Sequence, residues 1–411
     1  MKKITLILIV ILHLPFVLFS RELTLMHDKG GTPNYQPYFE EISKVTEKDI
    51  GVSYNSVSFP STDVFIANLR PALKSKRAPG IFNYWSTWRT KPLIDSGLIA
   101  DLTALWDKRK NEYDPGIRDA FTFDNKVYCW PWSMDYWVVW YNKDVFKKYN
   151  LNPPGNWSDF MAIADKLKNN GIPPLTLSVQ QRWPAFIMFE ELIMGESAQL
   201  YNDLMIGKVK YTDKRVVKVF KLWKKMIDEG YFTDPSLDLF SDAPRLFNQD
   251  KLAMAVMGTW YHTGVLTSNG VDPNKIGVFI LPSHNPAAGK NIIFEAAPLC
   301  VSQNTPNKEK ALKLADWYMS PKGNAALPRK VGSYPTNLKA DTSFLTEDKV
   351  NLLKTINSGG YTLVNRFWEA TPTPICEAAV DIFAKFILDT SKLDEVLDEL
   401  DQVSNKYWSS H

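Results

Sequence analysis

The chain has few of the residues that build covalent or metal-bound centres. Its 411 residues include five histidines and three cysteines, which are Cys129, Cys300 and Cys376. Three widely spaced cysteines exclude a disulfide framework, although one pair could still form a disulfide. We expect most of them to be buried thiols. No two histidines have the spacing of metal ligands, so we expect neither a metal site nor a cofactor.

An excess of charge of either sign is also missing. The 48 basic and 45 acidic side chains give a net charge of +3. Without the first 20 residues the balance is 46 to 45, or +1. A near-neutral protein has no electrostatic attraction for nucleic acid or for an anionic membrane surface, and we expect neither as a partner.

Long apolar runs are confined to the first 20 residues. Lys2 and Lys3 precede the apolar run Ile4–Phe19, and Ser20 offers a small residue for cleavage. This pattern predicts a signal peptide at residues 1–20, and the run is short for a retained anchor. No cysteine lies near the cleavage region, so a lipid anchor is not indicated. We therefore expect a periplasmic or secreted protein.

Aromatic residues, in contrast, are abundant and concentrated. The chain has 14 tryptophans, and seven aromatic residues lie between Asp124 and Asp144. The run Tyr136–Tyr141 is rich in aromatic and β-branched residues, which predicts a strand buried on both faces. Pro131 and Ser133 predict a break just before that strand.

The residues at this break suit a ligand with many hydroxyl groups. Aromatic faces pack against the C–H face of a sugar, and a carboxylate accepts strong hydrogen bonds from neighbouring hydroxyls. We therefore place Trp132, Asp135 and Tyr136 in a binding site. The alternative is that the rings are core and Asp135 caps a turn, and we prefer the core for Trp137 and Trp140, which lie inside the strand.

Several motifs, taken in order, resemble the extracellular solute-binding proteins of ABC importers, in particular the maltose-binding-like branch that binds carbohydrates. One departure is Cys129, which stands where that branch usually has glycine. The motifs that carry the resemblance are Asp124–Tyr128, Tyr141–Asp144, Asn152–Trp157, Gly97–Ile99, Leu246–Trp260, Asn307–Ser320 and Val331–Asn337.

The resemblance implies an α/β protein with the two-lobed periplasmic binding protein fold. Each lobe would be a mainly parallel sheet flanked by helices, and a hinge would link the lobes. Lobe 1 would comprise residues 21–133 plus 292–338, and lobe 2 residues 134–291 plus 342–411. A sugar or oligosaccharide would close the lobes by touching both, and the closed monomer would dock on ABC transporter permease subunits in the membrane.

Further candidates lie at predicted strand ends and loop junctions, where ligands collect in such sheets. Trp85 and Glu295 have open alternatives, which are core packing for Trp85 and a salt bridge to a buried arginine for Glu295. The predicted ligand-binding residues are Asn83, Trp85, Trp132, Asp135, Tyr136, Trp183, Trp260, Glu295, Arg366 and Trp368.

Two other functions stay open at this point. A secreted glycoside hydrolase would need a pair of carboxylates, for which Asp135 and Glu295 are the candidates. A surface adhesin or chemoreceptor module would bind a sugar without transporting it. The resemblance favours a binding protein over an enzyme. The kind of sugar is not readable, and Lys29, Arg182 and Arg366 are either contacts for an acidic sugar or surface charges.

Overall fold

The computed structural model describes residues 22–31 and 35–410. The predicted signal peptide therefore lies outside the described residues. No helix within these two ranges combines the length and the apolar character needed to cross a membrane.

Eight strands of the described chain form one sheet, and two short strands form a separate hairpin. The main sheet has the order β2-β1-β3-β9-β6-β7, with β10 paired to β9 and β8 paired to β6. The strands are β1 (Thr24–His27), β2 (Asn55–Ser58), β3 (Ile81–Asn83), β4 (Thr122–Phe123), β5 (Lys126–Val127), β6 (Trp130–Asn142), β7 (Met254–Gly258), β8 (Ile276–Phe279), β9 (Asn291–Val301) and β10 (Thr362–Asn365).

Helices cover the sheet, which gives the mixed α/β fold that the sequence predicted. β1 pairs in parallel with β2 and β3, and β10 pairs in parallel with β9. The long strands β6 and β9 run antiparallel to each other. The helices are α1 (Tyr35–Ile50), α2 (Thr62–Lys74), α3 (Lys91–Asp95), α4 (Thr103–Lys108), α5 (Pro115–Asp119), α6 (Lys143–Lys148), α7 (Trp157–Asn169), α8 (Ile187–Glu196), α9 (Ala198–Met205), α10 (Lys214–Asp228), α11 (Asp242–Asn248), α12 (Lys308–Met319), α13 (Pro321–Val331), α14 (Glu347–Ser358), α15 (Phe367–Ala370), α16 (Thr373–Leu388) and α17 (Leu393–Trp408).

The buried apolar side chains form two separate clusters. The first core draws on residues 23–132 and 296–331, and the second core on residues 136–293 and 334–400. Both β6 and β9 pass from one core to the other. The crossing falls between Trp132 and Tyr136 in β6 and between Ile293 and Ala296 in β9. The lobe boundaries given above stay a prediction.

The predicted break before the central strand is instead a bulge inside it. β6 continues through Trp130–Asn142, and its register with β9 shifts by one residue between Pro131 and Ser133. The extra residue is Trp132. A bulge of this kind keeps the strand paired while it turns a side chain in a new direction. Trp137 and Trp140 are each 1% exposed and lie in the second core, as expected.

The expectation that most cysteines are thiols is wrong. Cys129 and Cys300 form a disulfide, and only Cys376 is a buried thiol. They are 171 residues apart in sequence, but the pairing of β6 with β9 brings them together, which spacing alone does not reveal. Cys129 has a φ of 58°, a left-handed conformation that glycine adopts most easily. The backbone has therefore kept the shape that a glycine would take there.

Candidate functional site

A cleft lies where β6 and β9 cross between the two cores. Asp135 and Glu295 face each other directly in this antiparallel pair, and both line the cleft. Because strand side chains alternate, Ser133 lies on the same face of β6 as Asp135 and lines the cleft too. The bulge adds Trp132 to this wall.

The end of β7 supplies a partner for each of the two carboxylates. The Thr259 hydroxyl donates to Asp135 Oδ1 at 2.6 Å, and the Trp260 indole Nε1 donates to Glu295 Oε1 at 2.6 Å. Burial, together with repulsion from Glu295, raises the pKa of Asp135 to about 7. Asp135 is therefore close to the point where it exchanges a proton at neutral pH.

Arg366 holds the second carboxylate in place. Its Nη1 pairs with Glu295. Its Nε donates to Glu369 Oε2 at 2.9 Å, and its Nη2 donates to the other oxygen of Glu369. Burial opposes the charge of Arg366, but Glu295 and Glu369 raise its pKa overall. The alternative of a salt bridge for Glu295 is thus realised by Arg366, and Glu295 still borders the cleft.

Five tryptophan rings from both cores line the cleft. Trp132 belongs to the first core and Trp368 to the second, while Trp85 is half-buried and packs against both. The Trp85 and Trp368 rings meet edge to face, with centroids 6.1 Å apart. Trp183 and Trp260 complete the set from the second core's side.

Trp260 projects beyond the carboxyl end of β7, as the sequence predicted. Its ring is parallel to that of Phe240 within 11°, with centroids 6.1 Å apart. Gly258 leaves the space that the ring needs, because a Cβ there would lie 2.3 Å from the indole Nε1. Trp183 follows Gln181 and Arg182, which both have positive φ, so a tight turn sets its position.

Neighbouring parallel strands build the opposite side of the cleft. Asp28 follows β1 and Asn83 ends β3, and the Asn83 Nδ2 donates to Asp28 Oδ1 at 3.0 Å. Burial would raise the pKa of Asp28, but the charge and hydrogen bonds of Lys29 and Asn83 lower it overall. Asp28 is therefore ionised at neutral pH.

Two buried polar atoms of the cleft wall have no hydrogen-bond partner within the described chain. They are the Trp132 Nε1 and the Ser133 Oγ. An unsatisfied buried polar group is uncommon in folded proteins and calls for an explanation. Both residues border the cleft, so the two atoms lie just behind its surface.

The sequence relationship is decided by a family model. The model described as "bacterial extracellular solute-binding protein" matches residues 29–325. The chain belongs to this family.

Individual relatives and solved structures agree with this assignment. An uncharacterized ABC transporter extracellular-binding protein of Pyrococcus horikoshii is 34% identical over 211 residues, which is 50% of this chain and 47% of that protein. The chain thus spans about half the length of this relative. The bacterial solute receptor AcbH, described with an exclusive preference for β-D-galactopyranose, superposes with a TM-score of 0.83 at 18% identity over 94% of this chain and 98% of that one. A chitin oligosaccharide binding protein gives 0.82 at 20% identity, over 93% and 98%. These likenesses confirm the two-lobed fold.

In this solute-binding protein, nine of the ten predicted site residues lie together at the cleft. The exception is Tyr136, which is 2% exposed and packs against Tyr334 in the second core. The reason is strand alternation, since Tyr136 follows the cleft-facing Asp135 and points to the other face. Its place in the predicted site is therefore corrected. The nine at the cleft are Asn83, Trp85, Trp132, Asp135, Trp183, Trp260, Glu295, Arg366 and Trp368.

Sequence reasoning missed several cleft residues. Asp28 lies in the Gly-rich loop after the first strand, a signal that was present but too general to assign. Phe240 has no motif, and only its ring contact with Trp260 reveals it. Glu369 was detectable as an acidic residue three positions after Arg366 in a helical turn. The missed lining residues include Asp28, Tyr35, Gln181, Phe186, Phe240 and Glu369.

Proposed function

We propose that this protein binds a sugar or oligosaccharide in the cleft, closes around it and delivers it to an ABC transporter permease. One observation carries the proposal, which is that five tryptophan rings drawn from both cores meet paired carboxylates in a single cleft. Flat rings match the apolar faces of sugars, and carboxylates match their hydroxyls.

The described contacts support a division of labour among the site residues. Trp85, Trp183, Trp260 and Trp368 would stack on sugar rings, and Asp135 with Glu295 would accept hydroxyl hydrogen bonds. The Trp132 Nε1 and the Ser133 Oγ have no hydrogen-bond partner within residues 22–31 and 35–410, and a movement of the wall would be needed to bring them into contact with a ligand.

The arrangement also supports closure on binding. A ligand shifts a hinge only through the difference in its contacts with the two states, so it must touch both lobes. Trp85 sits against both cores, and Asp135 and Glu295 sit on the strands that cross between them. A ligand bound at the crossing would therefore change the angle between the two lobes. We propose that lobe 1 comprises residues 21–133 plus 292–338 and lobe 2 residues 134–291 plus 342–411.

The remaining features of the proposal rest on the family. The solute-binding proteins similar to this chain include ABC transporter and sugar-binding members. They support permease subunits as partners and an exported protein in the periplasm or outside the cell, and we further propose that the protein works as a monomer. No nucleic acid enters this proposal, because the net charge is close to zero.

A glycoside hydrolase is not favoured by the geometry. Asp135 and Glu295 do face each other, but Glu295 is held by Arg366 and by the Trp260 indole. A carboxylate fixed in an ion pair is poorly placed to attack a sugar or activate water. We therefore propose binding without turnover.

The proposal is tested with purified mature protein and a broad panel of neutral and charged sugars. Binding is followed by isothermal titration and by tryptophan emission, since several rings border the cleft. We expect heat and an emission change for at least one saccharide, with no change in that saccharide by mass spectrometry. Absence of any response across the panel, or conversion of the sugar, would contradict the proposal.

A further inference from the structure

The cations of the cleft wall are already neutralised by the protein. Among the described residues, Lys29 and Arg366 are the cationic side chains that line it. Lys29 Nζ lies 3.0 Å from Asp28 Oδ1. Arg366 is bound by Glu295 on one side and by Glu369 on the other. Each of the two cations is therefore already paired with at least one carboxylate of the protein.

Arg366 is especially hard to recruit. It is 6% exposed, and the buried Glu190 adds a third carboxylate to its electrostatic surroundings. An anionic ligand group could reach the guanidinium only by displacing Glu295 or Glu369. The displaced carboxylate would then be buried without a partner, which is strongly unfavourable.

Cations just outside the cleft wall are committed as well. Arg182 pairs with Asp381 at 2.8 Å and more loosely with Asp63 and Glu377. Lys349 lies behind Asp135, where its Nζ donates to the Thr259 and Gly332 carbonyls.

Arg89 is a further cation close to the cleft among the described residues. It pairs with Glu377 at 2.6 Å, and its guanidinium carbon lies 4.0 Å from the Trp368 ring centroid. Its Nε and Nη2 have no partner, but they are buried and Arg89 does not line the cleft. A ligand could not reach them without moving Trp368.

Carboxylates therefore outnumber cations along the cleft. The wall carries Asp28, Asp135, Glu295 and Glu369 against Lys29 and Arg366. Asp135 is close to its point of proton exchange at neutral pH, and without it the three other carboxylates still outnumber the two cations of the wall.

Resting on the proposed saccharide binding, we propose that the cleft selects sugars without a negative charge and rejects those with carboxylate, sulfate or phosphate groups. Hydroxyls and ammonium groups donate to the acidic wall. An anionic substituent meets like charge, and the cations of the wall are already paired with carboxylates. In the sequence, Lys29, Arg182 and Arg366 were possible contacts for an acidic sugar. In the structure all three are paired with carboxylates, which argues against an acidic ligand.

The test uses matched ligands built on whichever neutral sugar binds in the panel described above. Each neutral sugar is compared by isothermal titration with its C6-oxidised uronate and its amino counterpart, for example D-glucose, D-glucuronate and D-glucosamine. We expect the uronate to bind at least ~100-fold more weakly than the neutral sugar. A uronate that binds within threefold of the neutral sugar, or more tightly, overturns the inference.

A variant tests the cause of the selectivity. Glu369→Gln keeps the shape of the side chain but releases part of Arg366, so uronate affinity should rise at least tenfold relative to the neutral sugar. Asp381→Asn releases Arg182 outside the cleft and should leave the ratio unchanged. A constant ratio in a folded Glu369→Gln protein would overturn the assigned cause.

Failure of the two proposals can be told apart. If no saccharide of any charge gives heat, the proposed function fails and the selectivity fails with it. If a neutral and an acidic sugar bind equally, saccharide binding stands and only the selectivity is lost. Should Glu369→Gln not fold, as judged by circular dichroism, the wild-type comparison alone decides.

Discussion

Trp260 offers the most direct test of the binding site. Its ring is half-buried beside Phe240, and its Nε1 donates to Glu295. Trp260→Ala removes the ring face available to a sugar together with that hydrogen bond. A stacking aromatic residue of this kind contributes about 1–3 kcal/mol to affinity, so the Kd should rise roughly 5- to 150-fold.

Trp260→Phe separates the two contributions. It keeps an aromatic face but loses the N–H, so the loss should be limited to about 0.5–1.5 kcal/mol. Trp157→Ala is the matched control, because Trp157 packs on Phe160 and His284 away from the cleft. Isothermal titration with the identified sugar gives the affinities, and thermal unfolding checks the fold. An unchanged Kd in folded Trp260→Ala protein would remove Trp260 from the site.

Three further predictions follow from individual side chains. Burial and the facing glutamate raise the pKa of Asp135 from 3.8 to about 7. Between about pH 4 and 7 the folded state therefore binds more protons than the unfolded state. As the pH rises through this range, Asp135 lowers the free energy of unfolding. Asp135→Asn should flatten this slope in urea unfolding at pH 4.5 and 7.5 and weaken sugar binding without lowering the Tm; an unaltered slope would contradict the reasoning. Loss of the Cys129–Cys300 bridge should cost about 2–5 kcal/mol of stability, and Cys129→Gly with Cys300→Ala should unfold at a higher temperature than Cys129→Ala with Cys300→Ala, because glycine tolerates the φ of 58°. Equal Tm values for the two double variants would refute the backbone argument. Tyr136→Phe should leave the Kd unchanged, since Tyr136 lies off the cleft, and a weaker affinity by titration would return it to the site.

Local patterns in the sequence predicted most of the elements that position the site. Leu393, Val396, Leu397 and Leu400 recur at helical spacing, which predicts a helix, and the structure has α17 (Leu393–Trp408) over these residues. Asparagine is a preferred residue type at the start of a helix, and the Asn156 side chain caps α7 by accepting from the Asp159 backbone N–H. Such features depend on neighbours in sequence and are therefore readable from one chain.

Features that depend on distant partners were not readable. The register of β6 against β9 produces the bulge at Trp132 and places Asp135 opposite Glu295. These two acids are 160 residues apart in the sequence. The ion pair between Arg366 and Glu295 likewise joins residues from separate segments. The resemblance to a family supplied the two-lobed architecture, but it gave no register and hence no face for Tyr136.

The disulfide has a mechanical consequence for the moving parts. Cys129 immediately precedes β6 and Cys300 lies near the end of β9, so the bridge fastens the two connecting ribbons together where they enter the first core. In the proposed closure, β6 and β9 would bend beyond the disulfide, in the stretch that includes Asp135 and Glu295. A ligand held by these two acids would then lie at the hinge, where the two lobes move least. In the closure proposed above, the sugar would bind these two acids first, and the tryptophans on both sides of the cleft would then approach it.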